Sequence, residues 1–178
     1  MAYDRLVESR RLIADGVPDT PFWLSRRRRF IPLAVDIDGD VAATLFVRRG
    51  VSGNPHLEVC TLERQEGDWV VLGGGGGAGH DELFEPRAAM EEHIQRLGGG
   101  WTLRAGDRLL PWPRRGISHA EMRFGAQVAV MDVDQRRIQV APHGVAIVVW
   151  RSRTPPTIRL VAPTGELLRT VRPRQPEP

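Results

Sequence analysis

Short apolar segments alternate with polar positions along most of this chain, and turn residues separate them at close spacing. A period of two is typical of strands that bury one face of a sheet. In the C-terminal half, the segments with this pattern are residues 101–110, 122–131, 137–141, 145–151, 157–162 and 166–171. They predict a small immunoglobulin-like β-sandwich without the cysteine pair of antibody domains.

The N-terminal half shows the same alternation in two predicted hairpins. Residues 30–48 form the first, and the side-chain register favours a three-residue loop at 38–40 that pairs Ile37 with Val41. Residues 57–63 and 69–72 form the second hairpin, around Glu66-Gly67. These hairpins predict an antiparallel β-meander.

Two segments have helical spacing instead. Residues 3–14 form the first, which Gly16 ends. The second lies between residues 81 and 97, with Asp81 as N-cap and Gly98 to Gly100 as the end; because Pro86 fits only a first turn, a start at Glu85 is the alternative. The predicted fold class is therefore mainly β, an antiparallel meander plus a small immunoglobulin-like sandwich, with two short helices.

Three regions follow from these elements. Residues 1–100 comprise the N-terminal helix, the meander, a glycine-rich loop and the second helix, and residues 101–172 comprise the sandwich-like module. Residues 173–178 are predicted to be a disordered tail. Whether the two modules share one core is left open by the pattern.

Composition excludes several kinds of chemistry. All 25 basic residues are arginine, since the chain contains no lysine. Phosphate-binding loops with a lysine, Schiff-base enzymes and protein kinases are thereby excluded. Cys60 is the only cysteine, so neither an intrachain disulfide nor a cysteine zinc site can form, and its strand pattern predicts a packed thiol.

The apolar runs are too short for a membrane span. The longest, residues 145–150, is far below the length needed to cross a bilayer, and the N-terminus has no signal-peptide pattern. We therefore expect a cytoplasmic protein with no membrane span.

The glycines in and just after the run 73–77 resemble a dinucleotide-binding motif. Gly74, Gly76 and Gly79 satisfy G-x-G-x-x-G after a strand. The strand is hairpin-paired, however, and no acidic residue ends the next strand about 20 residues on, so we expect a flexible connector and no cofactor. The acidic and histidine residues between His80 and His93 match no metal-ligand spacing, and no metal site is predicted.

Candidate catalytic residues lie at the start of the second predicted helix. His80, Asp81 and Glu82 would line a cleft between the two halves, as in a hydrolase or a cyclase-like enzyme. Ser118 and His119 are neighbours on a strand, so their side chains point to opposite faces and cannot form a nucleophile–base pair.

Candidate binding residues form an arginine run. Arg26, Arg27, Arg28 and Arg29 follow Trp23, and the first helix adds further arginines, listed as Arg5, Arg10 and Arg11. Such a basic face can bind nucleic acid or an anionic membrane, whereas its alternative role is to protect a strand edge.

Two segments resemble a recurring pattern in uncharacterised proteins of actinobacteria. They are ISHAEMR at residues 117–123 and APHGVAIVVW at residues 141–150, followed by Pro155-Pro156. The resemblance implies an actinobacterial cytoplasmic origin and carries no activity.

The absence of recognisable catalytic motifs favours a non-enzymatic binding or assembly protein that uses its sheet surface or edges to hold a protein partner or a second copy. A small enzyme with a cleft near His80, Asp81 and Glu82 is the first alternative. An arginine-mediated nucleic-acid binder is the second.

Overall fold

The chain is mainly β-structure. The computed structural model describes residues 4–18, 23–78, 81–104 and 116–174, except the side chains of Ala78, Asp81 and Glu82. Its elements are α1 (Arg5–Asp15), β1 (Phe30–Asp38), β2 (Val41–Arg49), β3 (Pro55–Gln65), β4 (Asp68–Ala78), β5 (Ile94–Leu103), β6 (Gly116–Phe124), β7 (Val130–Val133), β8 (Arg136–Gln139), β9 (Val145–Trp150), β10 (Ile158–Val161) and β11 (Leu167–Val171). Within these ranges no helix is long and apolar enough to cross a membrane.

The strands form three antiparallel sheets, which confirms the predicted class. Sheet A has the order β1-β2-β3-β4, sheet B the order β5-β6-β9, and sheet C the order β11-β10-β7-β8. The predicted division at residue 100 falls inside β5, which pairs along its length with β6. The immunoglobulin-like description of the C-terminal part stays a prediction.

Sheet B is the middle layer of the molecule. On β9, Val145, Ile147 and Val149 pack with sheet A, whereas the alternate residues Ala146, Val148 and Trp150 pack with sheet C. All six residues are buried. A strand covered on both faces needs apolar residues at every position, which explains the unbroken apolar run.

Helix α1 covers the outer face of sheet A. Asp4 caps it by accepting hydrogen bonds from the backbone N–H groups of Leu6 and Val7, as an N-cap residue does. A small core joins the helix to the sheet and contains Leu6, Ile13, Ala42, Cys60, Leu62, Trp69 and Val71. The packed thiol predicted for Cys60 is confirmed, and burial raises its pKa. The layers are therefore α1, sheet A, sheet B and sheet C.

The first hairpin differs from its predicted register. Asp38 lies opposite Val41, so the turn has two residues, and the three-residue loop was wrong. The register shifts at Pro32/Ala34, where a β-bulge reverses the side-chain alternation. Asp36 consequently points into the core between sheets A and B, while Ile37 is 37% exposed. The second hairpin has its turn at Glu66-Gly67, as predicted.

The second predicted helix is wrong. Residues 81–84 and 87–89 form two 3-10 turns, and Ile94–Leu103 is β5. The predicted glycine connector is wrong too, because Gly73 to Gly77 lie within β4 and pair with β3. Pairing with β3 and β6 outweighs the low strand preference of glycine, since tertiary contacts override local propensity.

Residues 122–131 do not form one strand. They belong to β6 and β7, which lie in sheets B and C, and a turn after Phe124 separates them. Arg87 holds this turn, because its guanidinium donates hydrogen bonds to the carbonyl oxygens of Phe124, Gly125 and Val128. The chain thus crosses from sheet B to sheet C at a point where the alternation of apolar and polar residues in the sequence continues unbroken.

Candidate functional site

A groove lined by arginines runs along one end of sheet A. It consists of three adjoining clefts of about 920, 460 and 280 Å³. Helix α1, the segment before β1, the end of β2 and the start of β3 form its walls. Arg29 and Arg49 line all three clefts. The arginines of this arginine groove are Arg5, Arg11, Arg26, Arg27, Arg28, Arg29, Arg48 and Arg49.

The arginine groove concentrates positive charge. Its eight arginines face three carboxylates, those of Glu8, Asp15 and Glu58. The local excess of five positive charges is larger than the excess of three carried by the whole chain. The rest of the chain is therefore slightly acidic, and the field of the molecule attracts anions to this groove.

Glu58 occupies two of the arginines. Its carboxylate lies 2.8 Å from Arg5 Nε and 2.9 Å from Arg48 Nη1, and the residue is 8% exposed. Arg11 contacts Asp15 at 3.7 Å on the helix surface, where both side chains are well exposed. Such an exposed pair contributes little stability.

For four other groove arginines, the described residues supply no carboxylate as a salt-bridge partner. Within the described residues, no Asp or Glu oxygen lies within 4.0 Å of the guanidinium groups of Arg26, Arg27, Arg29 or Arg49. The backbone of Arg29 and Arg49 is held in place, since Arg49 N–H donates to Arg29 O (2.8 Å). Neighbouring cations repel, and a bound anion relieves that repulsion.

The second cleft has a wall of bare backbone. Gly74, Gly75 and Gly76 of β4 line it, and so does Val51, which is fully exposed in the β2–β3 loop. A Cβ atom at Gly74 would lie 2.7 Å from Val59 O and 2.8 Å from Arg5 Nη1. Glycine is therefore required where Arg5 crosses the strand.

The four predicted binding arginines line this groove, whereas Trp23 lines none of its three clefts. Arg27, Arg28 and Arg29 line its largest cleft and Arg26 its smallest. Trp23 is 57% exposed at the start of the same segment. Arg10 does not line these clefts, because its guanidinium donates to Trp69 O at 3.0 and 2.7 Å.

Sequence reasoning missed three groove residues. Arg48 and Arg49 end β2, and Glu58 follows on β3. The Arg48-Arg49 pair at a strand end was an available signal, whereas the role of Glu58 depends on the pairing of β2 with β3. No pattern in the neighbouring sequence identifies Glu58 as a groove residue.

The structure describes the predicted catalytic residues only in part. His80 lies outside the described residues, and so do the side chains of Asp81 and Glu82. The backbone of Asp81–Phe84 forms a 3-10 turn, whose Leu83 is buried against the core between sheets A and B. Across the described part of the chain, no three or more His, Cys, Asp or Glu residues are grouped to hold a metal ion.

The sequence predicted docking at a sheet surface or edge, and β11 is one of the two outer strands of sheet C. Leu167 is 46% exposed there, but Arg169 and Thr170 beside it are exposed polar residues. A single apolar side chain between polar ones offers little area for a protein partner.

No protein-family model, curated protein or solved structure matches this chain. The resemblance to uncharacterised actinobacterial proteins stays a prediction. What the arginine groove can bind therefore follows from its own charge and shape.

Proposed function

We propose that the protein is a non-enzymatic binding protein whose arginine groove holds single-stranded nucleic acid through its phosphates. The observation that carries this proposal is the local excess of five positive charges in three clefts that share Arg29 and Arg49. A polyanion contacts several arginines at once, whereas a small anion would use only part of the groove. A cytoplasmic location, expected from the sequence, is compatible with this ligand.

Two further features support a nucleic-acid strand. The guanidinium group has a planar fork of donors that matches a phosphate with two parallel hydrogen bonds. Trp23, with 57% of its surface exposed beside the arginine run, offers a ring on which an unpaired base can stack. Bases are available for stacking in single strands and not in duplexes, so we favour a single strand.

The test is a fluorescence anisotropy titration with labelled oligothymidylate and oligouridylate of about 12 nucleotides. We expect a Kd of about 1–100 µM near physiological salt, weakening steeply as salt is raised. The triple variant Arg26→Ala, Arg27→Ala, Arg29→Ala should bind at least about tenfold more weakly, with a salt slope smaller by about 2.

A matched control removes the same charge elsewhere. Arg153, Arg169 and Arg174 are exposed and line none of the three clefts. Replacing these three with alanine should change the Kd by less than about twofold. Equal losses in both triple variants would reject the groove, and polyglutamate binding as tightly as the oligonucleotides would identify an acidic protein partner instead.

Glu58 should restrain binding, because its carboxylate occupies the position of a phosphate between Arg5 and Arg48. We expect Glu58→Gln to tighten oligonucleotide binding about 3- to 10-fold, since it frees two guanidinium groups. Glu8→Gln makes the same charge change in the groove without releasing a salt bridge. If both variants tighten binding equally, charge alone matters and the role assigned to Glu58 is wrong.

A further inference from the structure

One side of helix α1 forms a wall of the largest cleft in the arginine groove. The helix residues that line this cleft include Glu8, Arg11, Leu12 and Asp15. Residues spaced by three, four and seven positions lie on one side of a helix. The opposite wall is formed by residues 27–30, Pro32 and the end of β2. The cleft therefore has acidic and apolar side chains as well as arginines.

The apolar part of the cleft suits a flat ring better than a phosphate. Leu12 is buried, and Phe30 and Pro32 are partly buried. A nucleobase gains from packing on apolar and aromatic side chains, whereas a phosphate does not. The cleft volume of about 920 Å³ is within the range of ordinary small-molecule sites. A base can therefore enter this cleft while its phosphates stay on the arginines.

Glu8 is out of place in a groove that binds only phosphates, because its carboxylate repels them. The residue is partly buried. In the described parts of the chain, no arginine or histidine nitrogen lies within 4.0 Å of its carboxylate. An ionised carboxylate can only accept hydrogen bonds. Glu8 therefore fits a part of the ligand that carries N–H donors.

The second carboxylate on this side of the helix is in a different position. Asp15 is the last residue of α1, its side chain is 69% exposed, and it contacts Arg11 at 3.7 Å. Water competes for the hydrogen bonds of an exposed acceptor, whereas a partly buried acceptor makes stronger ones. Glu8 is therefore the carboxylate that can distinguish one base from another.

The two oxygens of a carboxylate accept two parallel hydrogen bonds from adjacent donors. Guanine is the only common base with two adjacent donors on its Watson–Crick edge, the N1–H and the 2-amino group. Adenine and cytosine place an acceptor beside the amino group, and uracil and thymine place carbonyl oxygens on both sides of their N–H. A carboxylate repels these acceptors, so guanine is the base that matches Glu8.

We propose that the largest cleft is a guanine subsite, in which Glu8 accepts hydrogen bonds from the N1–H and the 2-amino group. The base packs on Leu12, Phe30 and Pro32. This inference rests on the proposed function, since the arginines hold the phosphates of the same strand. It names the preferred ligand, a single strand that contains guanine. Contacts to phosphates supply affinity for any sequence, and contacts to a base edge supply specificity.

The test compares three labelled strands of about 12 nucleotides by fluorescence anisotropy. They are oligouridylate, the same strand with one central guanosine, and the same strand with inosine in place of that guanosine. Inosine keeps the N1–H and lacks the 2-amino group, so it removes one hydrogen bond. We expect the guanosine strand to bind about tenfold more tightly than oligouridylate and about fivefold more tightly than the inosine strand.

Glu8→Gln should remove this preference, because an amide replaces one of the two acceptors with a donor. The three strands should then have Kd values within about twofold of one another. Binding of oligouridylate to this variant, no weaker than to the wild type, shows that the groove is intact. Asp15→Asn makes the same charge change in the same cleft and should keep the preference for guanosine.

Three outcomes would overturn the guanine subsite and leave the proposed function standing. They are equal Kd values for the guanosine and inosine strands, a guanosine preference that survives Glu8→Gln, and a preference that Asp15→Asn removes as completely as Glu8→Gln. If none of the strands binds, the proposed function itself is wrong, and the subsite falls with it.

Discussion

Replacing Asp36 with alanine is expected to lower the free energy of unfolding by about 3–5 kcal/mol. The Asp36 carboxylate is buried between the sheets, accepts a hydrogen bond from Val149 N (2.8 Å) and lies 2.6 Å from Arg136 Nη1. Arg136 also donates to the carbonyl oxygens of Ile37 and Val149. This cluster joins sheets A, B and C, and its loss leaves the buried Val149 amide without an acceptor and Arg136 without its carboxylate partner.

Burial raises the pKa of Asp36, although Arg136 and the Val149 N–H oppose the shift. Asp36→Asn keeps an acceptor for Val149 N–H, so we expect a smaller loss of about 1–2 kcal/mol. Urea unfolding, monitored by circular dichroism, measures the free energy of unfolding of both Asp36 variants. Asp132→Ala removes a carboxylate from a surface pair with Arg137 and should leave the midpoint unchanged. Equal effects of Asp36→Ala and Asp132→Ala would contradict this account.

Acidification from about pH 6.5 to about pH 4 should remove about 3 kcal/mol of stability through His143 alone. Burial, assisted by the charge of Arg87, lowers the pKa of His143 to about 4. In the unfolded chain the imidazole titrates near its ordinary value, so between these limits the unfolded state binds more protons. Stability from this residue is therefore complete above about pH 6.5 and falls as the pH drops toward 4.

The structure offers a control that keeps the local hydrogen bond. His143 Nδ1 accepts from Val145 N (3.1 Å), and an asparagine can accept from the amide two residues on without titrating. Urea unfolding at a series of pH values should give His143→Asn a flatter stability curve between pH 4 and 6.5. The raised pKa of Asp36 makes stability change with pH in the opposite direction, but Asp36 is present in both proteins. An unchanged slope of stability against pH in His143→Asn would therefore show that His143 does not cause the pH dependence.

Asp36 illustrates what the side-chain pattern could and could not predict. Alternation identified the strands of the first hairpin and suggested that Ile37 faces the core. The bulge after Pro32 reverses this, and Asp36 is the residue that becomes buried. One unpaired residue changes every later side chain to the other face, and no local signal marks its position.

The candidate sites were predictable to different degrees. The arginine run 26–29 is visible as a charge cluster, because adjacent residues need no fold to be neighbours. Arg48 and Glu58 join it only through the pairing of β2 with β3.

The sequence by itself determined the mainly antiparallel β class, the Glu66-Gly67 turn, the burial of Cys60 and the absence of lysine chemistry. These follow from periodicity, turn preference and composition, which act over a few residues. Only the tertiary structure decided that the glycine runs are strands, that β9 is covered on both sides and that distant arginines form one groove. Glycine carries no side chain to show a pattern, and pairing between strands depends on backbone partners far apart in the chain.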